Sequence, residues 1–201
     1  MKVLVCSPKP ERIAPALLYC GDSFDVTTDV LDASIASRYD YLVSYAYRHI
    51  IKPDVLNEMA GRNCNLHISL LPWNRGSDPN FWSWIDKTPK GVTIHEMDRG
   101  LDTGPIYCQQ RLELNDNGTL RTTYDELSQA IERLFFLSWP LLRMSAITPT
   151  AQRSKGSYHR SSDKTALFDM LPEGHDTTIA HLLMQRENAS RPSLSDRSIP
   201  L

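Results

Sequence analysis

"KVLVC" (Lys2–Cys6) is an unbroken apolar run at the start of the chain, and it has the look of a strand buried on both faces of a parallel sheet. Working outward, "SPKPERIAPALLYC" places Ile13, Leu17 and Leu18 at helical spacing, with Pro15 making that helix short or irregular. "FDVTTDV" (Phe24–Val30) alternates like a second strand, "YDYLVSYAY" (Tyr39–Tyr47) contains a third, and "NCNLHIS" (Asn63–Ser69) reads as a fourth. Helical turns are expected over "DVLNEMA" (Asp54–Ala60) after Pro53, and over "DPNFWSWID" (Asp78–Asp86), where Pro79 suits a first turn. "GVTIHEMD" (Gly91–Asp98) and "GPIYCQQRLEL" (Gly104–Leu114) read as two further strands around the turn "RGLDTG". Thr119–Ser145 is the longest helical pattern, with Pro140 breaking or kinking its end. This strand–helix alternation predicts an α/β fold with a largely parallel sheet.

Past Thr148 the apolar periodicity fades. Residues 1–147 are expected to form one domain, followed over 148–201 by an arm and tail that is not an independent domain. A short helix is expected near Ile179–Met184, and a loose tail over "NASRPSLSDRSIPL". The chain has 201 residues, 41% of them hydrophobic and 23% charged, an ordinary globular composition. A net charge of −2 gives no reason to expect bulk nucleic acid or an anionic membrane as partner. The four cysteines are scattered, two of them (Cys6 and Cys108) inside expected strands, which reads as reduced thiols. With no signal-like start and no apolar run of spanning length, the expectation is a soluble cytoplasmic protein.

The chemistry concentrates in "NLHISLLPWNRG" (Asn65–Gly76). Asn65 and His67 are two apart, so an extended chain points both to one face, at the carboxyl end of a strand where open α/β sheets bind ligands. They can equally be strand-end packing. A second candidate is Asp102 in "RGLDTGP" (Arg99–Pro105), where a turn aspartate can simply bond its own backbone. Brought beside the imidazole, the same carboxylate would fix the ring's tautomer and hold its charged form. Cys64, His67, His95 and Glu96 could suggest zinc, but Cys64 and His67 fall on opposite strand faces and no second ligand pair completes a site. Ser69, His67 and Asp102 have the residue types of a hydrolase triad, without a G-x-S-x-G elbow. Neither a G-x-G-x-x-G turn nor a phosphate-binding P-loop occurs.

"NLHISLLP" followed by "KGVTIHEMDRGLDTGPI" resembles the two signature blocks of the 10-formyltetrahydrofolate-dependent formyltransferases, Asn-x-His-x-Ser-Leu-Leu-Pro, then Gly-Val-Thr and Leu-Asp-x-Gly. The likeness spans roughly Lys2 to Ser145. It implies a Rossmann-like formyltransferase fold and a catalytic trio of Asn65, His67 and Asp102, with 10-formyltetrahydrofolate as co-substrate and no metal. In such a site Asn65 would bond the oxyanion and His67 would move a proton. Asp102 would orient His67 and accept the amine's proton, by way of a water near Thr93. The pterin would sit between Tyr47–Ile51 (Tyr47, Ile50, Ile51) and Met97–Leu101 (Met97, Asp98, Gly100, Leu101).

"LPWNRGSDPNFWSW" and "GSYHRSSDK" are similar to the small amino-sugar formyltransferases found with bacterial surface-polysaccharide genes. That likeness implies a dTDP- or GDP-linked 3- or 4-amino-dideoxy sugar as acceptor. Arg75, Lys87 or the Tyr158–Arg160 segment would hold its diphosphate, and Trp82 would border the sugar. Relatives of this kind are often dimers, so a homodimer is a further expectation. The alternatives are formyl transfer to another small amine such as glycinamide ribonucleotide, a formyltetrahydrofolate hydrolase, and a non-catalytic folate-binding module. Glycinamide ribonucleotide enzymes usually read His-Pro-Ser where this chain has His67-Ile68-Ser69. The hydrolases carry an additional domain ahead of the shared one, for which no room is expected before Lys2.

Overall fold

A computed structural model describes residues 1–189. Its frame is a six-stranded sheet of order β2-β1-β3-β4-β6-β7, built from β1 (Lys2–Cys6), β2 (Ser23–Thr27), β3 (Tyr41–Tyr45), β4 (Asn63–His67), β6 (Lys90–His95) and β7 (Ile106–Leu112). The first four run parallel, and β6 is antiparallel to both β4 and β7. The sheet is covered on both faces, which is why β1 and β3 are buried along nearly their whole length rather than on alternate residues. Val3, Val5, Tyr41, Val43, Cys64, Leu66, Val92 and Ile94 pack with α1 (Ala14–Tyr19) and α5 (Leu120–Leu142) on one side. On the other, Leu4, Cys6 and Leu42 meet α2 (Ala33–Ala36) and α3 (Pro53–Glu58). The four-residue α2 was not foreseen; it is started by Asp32, whose carboxylate accepts the Ile35 N–H at 2.9 Å.

Two expectations for the long helix are refined. Its start is fixed by a capping box between Thr119 and Thr122, and Pro140 lies in its last turn without ending it before Leu142. Its C-terminal half serves the core through Phe135, Trp139 and Leu142, while Leu137 and Leu141 face outward.

The segment after residue 148 folds back along the body. Thr150 bridges to Ile106, and Tyr158–His159 (β8) pairs in parallel with Arg75–Gly76 (β5). Helix α6 (Ile179–Ala189) extends beyond the stretch expected; its Ile179 and Leu182 close a separate cluster with Phe81, Trp82 and Trp84 of α4 (Pro79–Ile85) and with Leu120. Apart from its first two residues, the expected tail lies outside the described residues.

Candidate active site

Alternation along β4 separates structure from chemistry. Cys64 and Leu66 enter the α1–α5 core, which leaves Asn63, Asn65 and His67 on the opposite face. The neighbouring strand obeys the same rule, with Val92 and Ile94 in the core and Thr93 and His95 on the other side. Asn65 is paired in register with His95, and His67 with Thr93.

Asp102 reaches this pair by an indirect route. Because β6 is antiparallel, the chain leaves His95 toward the start of β4, where the Met97 N–H bonds Asn63 Oδ1 at 2.7 Å and Glu96 accepts from the Gly61 N–H at 2.9 Å. The loop then returns across the sheet face, and its neck is closed by the Glu96 N–H on the Pro105 carbonyl at 2.8 Å. Gly104 makes that closure fit, since a Cβ there would stand 1.8 Å from the Glu96 carbonyl oxygen. Asp102 sits at the far end of the loop with φ +54°.

The structure brings Asn65, His67 and Asp102 together. The Asn65 amide donates to Asp102 Oδ1 at 3.2 Å, and His67 Nδ1 lies 3.6 Å from Asp102 Oδ2. His67 Nε2 is 3.0 Å from the Asn74 carbonyl oxygen, so that nitrogen carries a hydrogen and donates it. Nδ1 is thereby left to exchange a proton with the carboxylate. Asp102 Oδ2 also accepts the Gly76 N–H at 2.8 Å. Burial pushes the Asp102 carboxyl up, but the positive charge available on His67 and His95 and the bonds from His95 and Gly76 outweigh it. The group is held well below the usual carboxylate range.

His95 is the member that residue types alone did not place here. Its Nδ1 is 2.7 Å from the Glu96 carbonyl and so donates. Its Nε2 lies 3.2 Å from the Asn65 amide nitrogen and 3.4 Å from Asp102 Oδ1. The neutral ring therefore accepts from Asn65, and the protonated ring donates to Asp102.

The four side chains border a cavity of about 920 Å³. One wall holds Tyr47, Ile50, Ile51, Met97, Asp98, Gly100 and Leu101, all seven of the residues expected around the pterin. Burial pushes the Tyr47 phenol up to about 12, and its hydroxyl donates to the Asp29 carbonyl, fixing the ring. The arm contributes Tyr158, Arg160, Ser161 and Ser162 to the same lining.

Four expected substrate contacts, Arg75, Trp82, Thr93 and Lys87, lie outside the cavity lining. Arg75 does not line the cavity; its guanidinium is spent on the Gln152 amide oxygen, at 2.7 and 3.1 Å, and on the Lys155 carbonyl. Trp82 is buried in the α4–α6 cluster and stacks on His159 with ring centroids 3.9 Å apart. Thr93 is fully buried, and its hydroxyl donates to the Ser69 carbonyl while accepting from the Leu71 N–H and the Gln109 amide. It holds the turn after β4 and has no valence left for a water. Lys87 is exposed and outside the cavity lining. Ser69 Oγ donates to the Trp73 carbonyl at 2.8 Å, which removes it as a nucleophile directed at His67. Among the described residues no group of three or more His, Cys, Asp or Glu is placed to hold a metal ion, and no helix is long and apolar enough to cross a membrane.

The profile of the family described as "Formyl transferase" matches residues 22–137, more than half of the chain. The chain belongs to that formyltransferase family. Among solved structures, this formyltransferase is similar to PseJ from Anoxybacillus kamchatkensis, with 43% identity and a TM-score of 0.87 over 90% of this chain and 97% of that one. That crystal structure holds UDP-4,6-dideoxy-4-formamido-L-AltNAc and tetrahydrofolate. A sugar N-formyltransferase from a Shewanella species shares the fold at 23% identity and a TM-score of 0.78, covering 92% of this chain and 87% of that one. The methionyl-tRNA formyltransferase of Thermodesulfovibrio yellowstonii is 35% identical over 121 residues, 59% of this chain. The chain spans only 39% of that relative's length.

Proposed function

We propose that this formyltransferase moves a formyl group from 10-formyltetrahydrofolate to the primary amine of a nucleotide-linked amino-dideoxy sugar. The observation that carries the reading is the convergence of Asn65, His67 and Asp102 at one cavity lined both by the Tyr47–Ile51 and Met97–Leu101 segments and by the arm. The Tyr47–Ile51 and Met97–Leu101 wall takes the pterin, and the arm wall takes the acceptor. A volume of about 920 Å³ is at the upper end for a single small ligand and suits two substrates meeting at the trio.

The amine nitrogen attacks the formyl carbon, forming a C–N bond and leaving an oxyanion. Asn65 turns an amide N–H from Asp102 to that oxygen. The proton lost by the amine passes to the Asp102–His67 pair, and the same pair returns a proton to N10 of the folate as the C–N10 bond breaks. The products are a formamido sugar and tetrahydrofolate.

The likeness to PseJ, whose ligand is a UDP-linked 4-formamido sugar, moves the carrier from the dTDP or GDP of the sequence reading to UDP. Arg160 and Tyr158, both exposed in the cavity lining, support this reading: the guanidinium would meet the diphosphate and the phenol the sugar or base. The formylated sugar would serve surface-polysaccharide synthesis. The test is release of tetrahydrofolate with a panel of UDP-, dTDP- and GDP-linked amino sugars, with mass detection of the formamide. Turnover is expected with a UDP-linked 4-amino-4,6-dideoxy sugar; tetrahydrofolate release that is independent of any amine would make the protein a hydrolase.

A further inference from the structure

Residues 74–76 touch both halves of the proton-transfer pair, and the arm grips them from the other side. The Asn74 carbonyl accepts a hydrogen bond from His67 Nε2–H, and the Gly76 N–H donates to Asp102 Oδ2. From the arm, Ser157 Oγ accepts the Asn74 N–H at 2.8 Å and donates to Asn74 Oδ1 at 3.2 Å, while the Ser157 carbonyl accepts the Arg75 N–H at 3.0 Å.

Gln152 ties this segment to the Asp102 loop. Its Oε1 accepts two N–H groups of Arg75, at 3.1 and 2.7 Å. Its amide nitrogen donates to the backbone carbonyls of Asp102, at 2.9 Å, and of Gly104, at 2.8 Å. Two acceptor sites and two donors are all a glutamine possesses, and every one is used. A flipped amide would turn N–H toward the guanidinium and oxygen toward two carbonyls, so the orientation is fixed. One side chain thus spans the two segments that set the separation of His67 from Asp102.

We propose that Gln152 is a positioning residue for the proton-transfer pair, making the arm part of the catalytic apparatus rather than only a wall for the acceptor. The proposal rests on the reading of His67 and Asp102 as the reacting pair. Gln152→Met keeps the length and removes all four bonds. Gln152→Glu keeps both acceptors for Arg75 but sets a carboxylate oxygen against the two carbonyls.

Both variants should melt cooperatively, leave KM for 10-formyltetrahydrofolate unchanged and lower kcat by roughly 10- to 100-fold, the scale of a misplaced reacting group. A simple arm anchor predicts instead that Gln152→Glu, with its Arg75 bonds intact, keeps the wild-type kcat. That result would overturn the proposal. A second readout needs no acceptor: ¹⁵N NMR of the imidazoles should show a single His67 tautomer, protonated on Nε2, in the wild type and a mixture in both variants. An unchanged His67 signal in a folded Gln152→Met protein would also overturn it. If the nucleotide sugars fail with the wild type, the acceptor reading falls alone, and the NMR outcome still decides the role of Gln152.

Discussion

Asn65 and His95 face each other across the β4–β6 pair, with the Asn65 amide nitrogen 3.2 Å from His95 Nε2. A ring that donates through Nδ1 to its own strand end and meets Asn65 through Nε2 decides where that amide points. His95→Phe, which keeps the ring and loses both nitrogens, should therefore lower kcat by about 10-fold or more while KM for the folate stays near wild type. Steady-state kinetics at saturating acceptor would show it. Equal loss in kcat and in folate affinity would mean that His95 only packs.

Asn65→Ala, His67→Ala and Asp102→Asn should each cost about 100-fold or more in kcat, the scale of an oxyanion donor or an acid–base group. The pH dependence follows from the direction of the Asp102 shift. Its carboxyl is held below the usual range, so it stays ionised as pH falls through about 4, where an ordinary aspartate protonates. Any acidic limb in kcat above that pH then belongs to another group. A limb assigned to Asp102 by its carbonyl infrared band near pH 5 would contradict the geometry.

Gly76 has φ +87°, and a Cβ there would stand 2.2 Å from the His159 carbonyl oxygen. Gly76→Ala should part β5 from β8 and draw the N–H away from Asp102, costing about 2 kcal/mol. Thermal melting and turnover should fall together. A variant with wild-type melting temperature and rate would show that the strand pair is dispensable.

Away from the site, Asp22 is fully buried and accepts from Trp139 Nε1 at 2.8 Å and from Arg143 at 2.6 and 3.0 Å. Burial raises its carboxyl, and the bonds from the amino terminus, Arg143 and Trp139 lower it by more. A depressed folded value contributes stability that is present above the unfolded value of about 3.9 and lost as pH falls through the folded one. Asp22→Ala should cost about 2 kcal/mol at neutral pH and much less in acid. Denaturant melts at two pH values would test the difference.

The parallel half of the sheet was legible because β1 and β3 are short apolar runs and β2 alternates, and Asn65 and His67 stood out as polar residues on one face of β4. Asp102 was legible through its motif, but its path was not, since the direction of β6 is a tertiary choice. His95 was hidden for a related reason: it lies 28 positions from His67, and only the antiparallel register of β6 on β4 sets it opposite Asn65. Arg75, Trp82 and Thr93 show the opposite error. Each has a side chain able to bind a ligand, yet their partners come from Gln152, His159 and the Ser69–Leu71 turn, and a residue's type does not say where its bonds are spent. Gln152 carries no signal in the sequence, because a glutamine in a polar arm looks like solvent-facing chain.

The loop that carries Asp102 is sealed at its neck by Glu96, Gly104 and Pro105, and its tip, Met97–Leu101, supplies the wall proposed for the pterin. Within that wall Met97 is bonded to Asn63, and Asp98 and Gly100 are locked onto Thr103, so preference among folate analogues is open to redesign at exposed Leu101 and not at its neighbours.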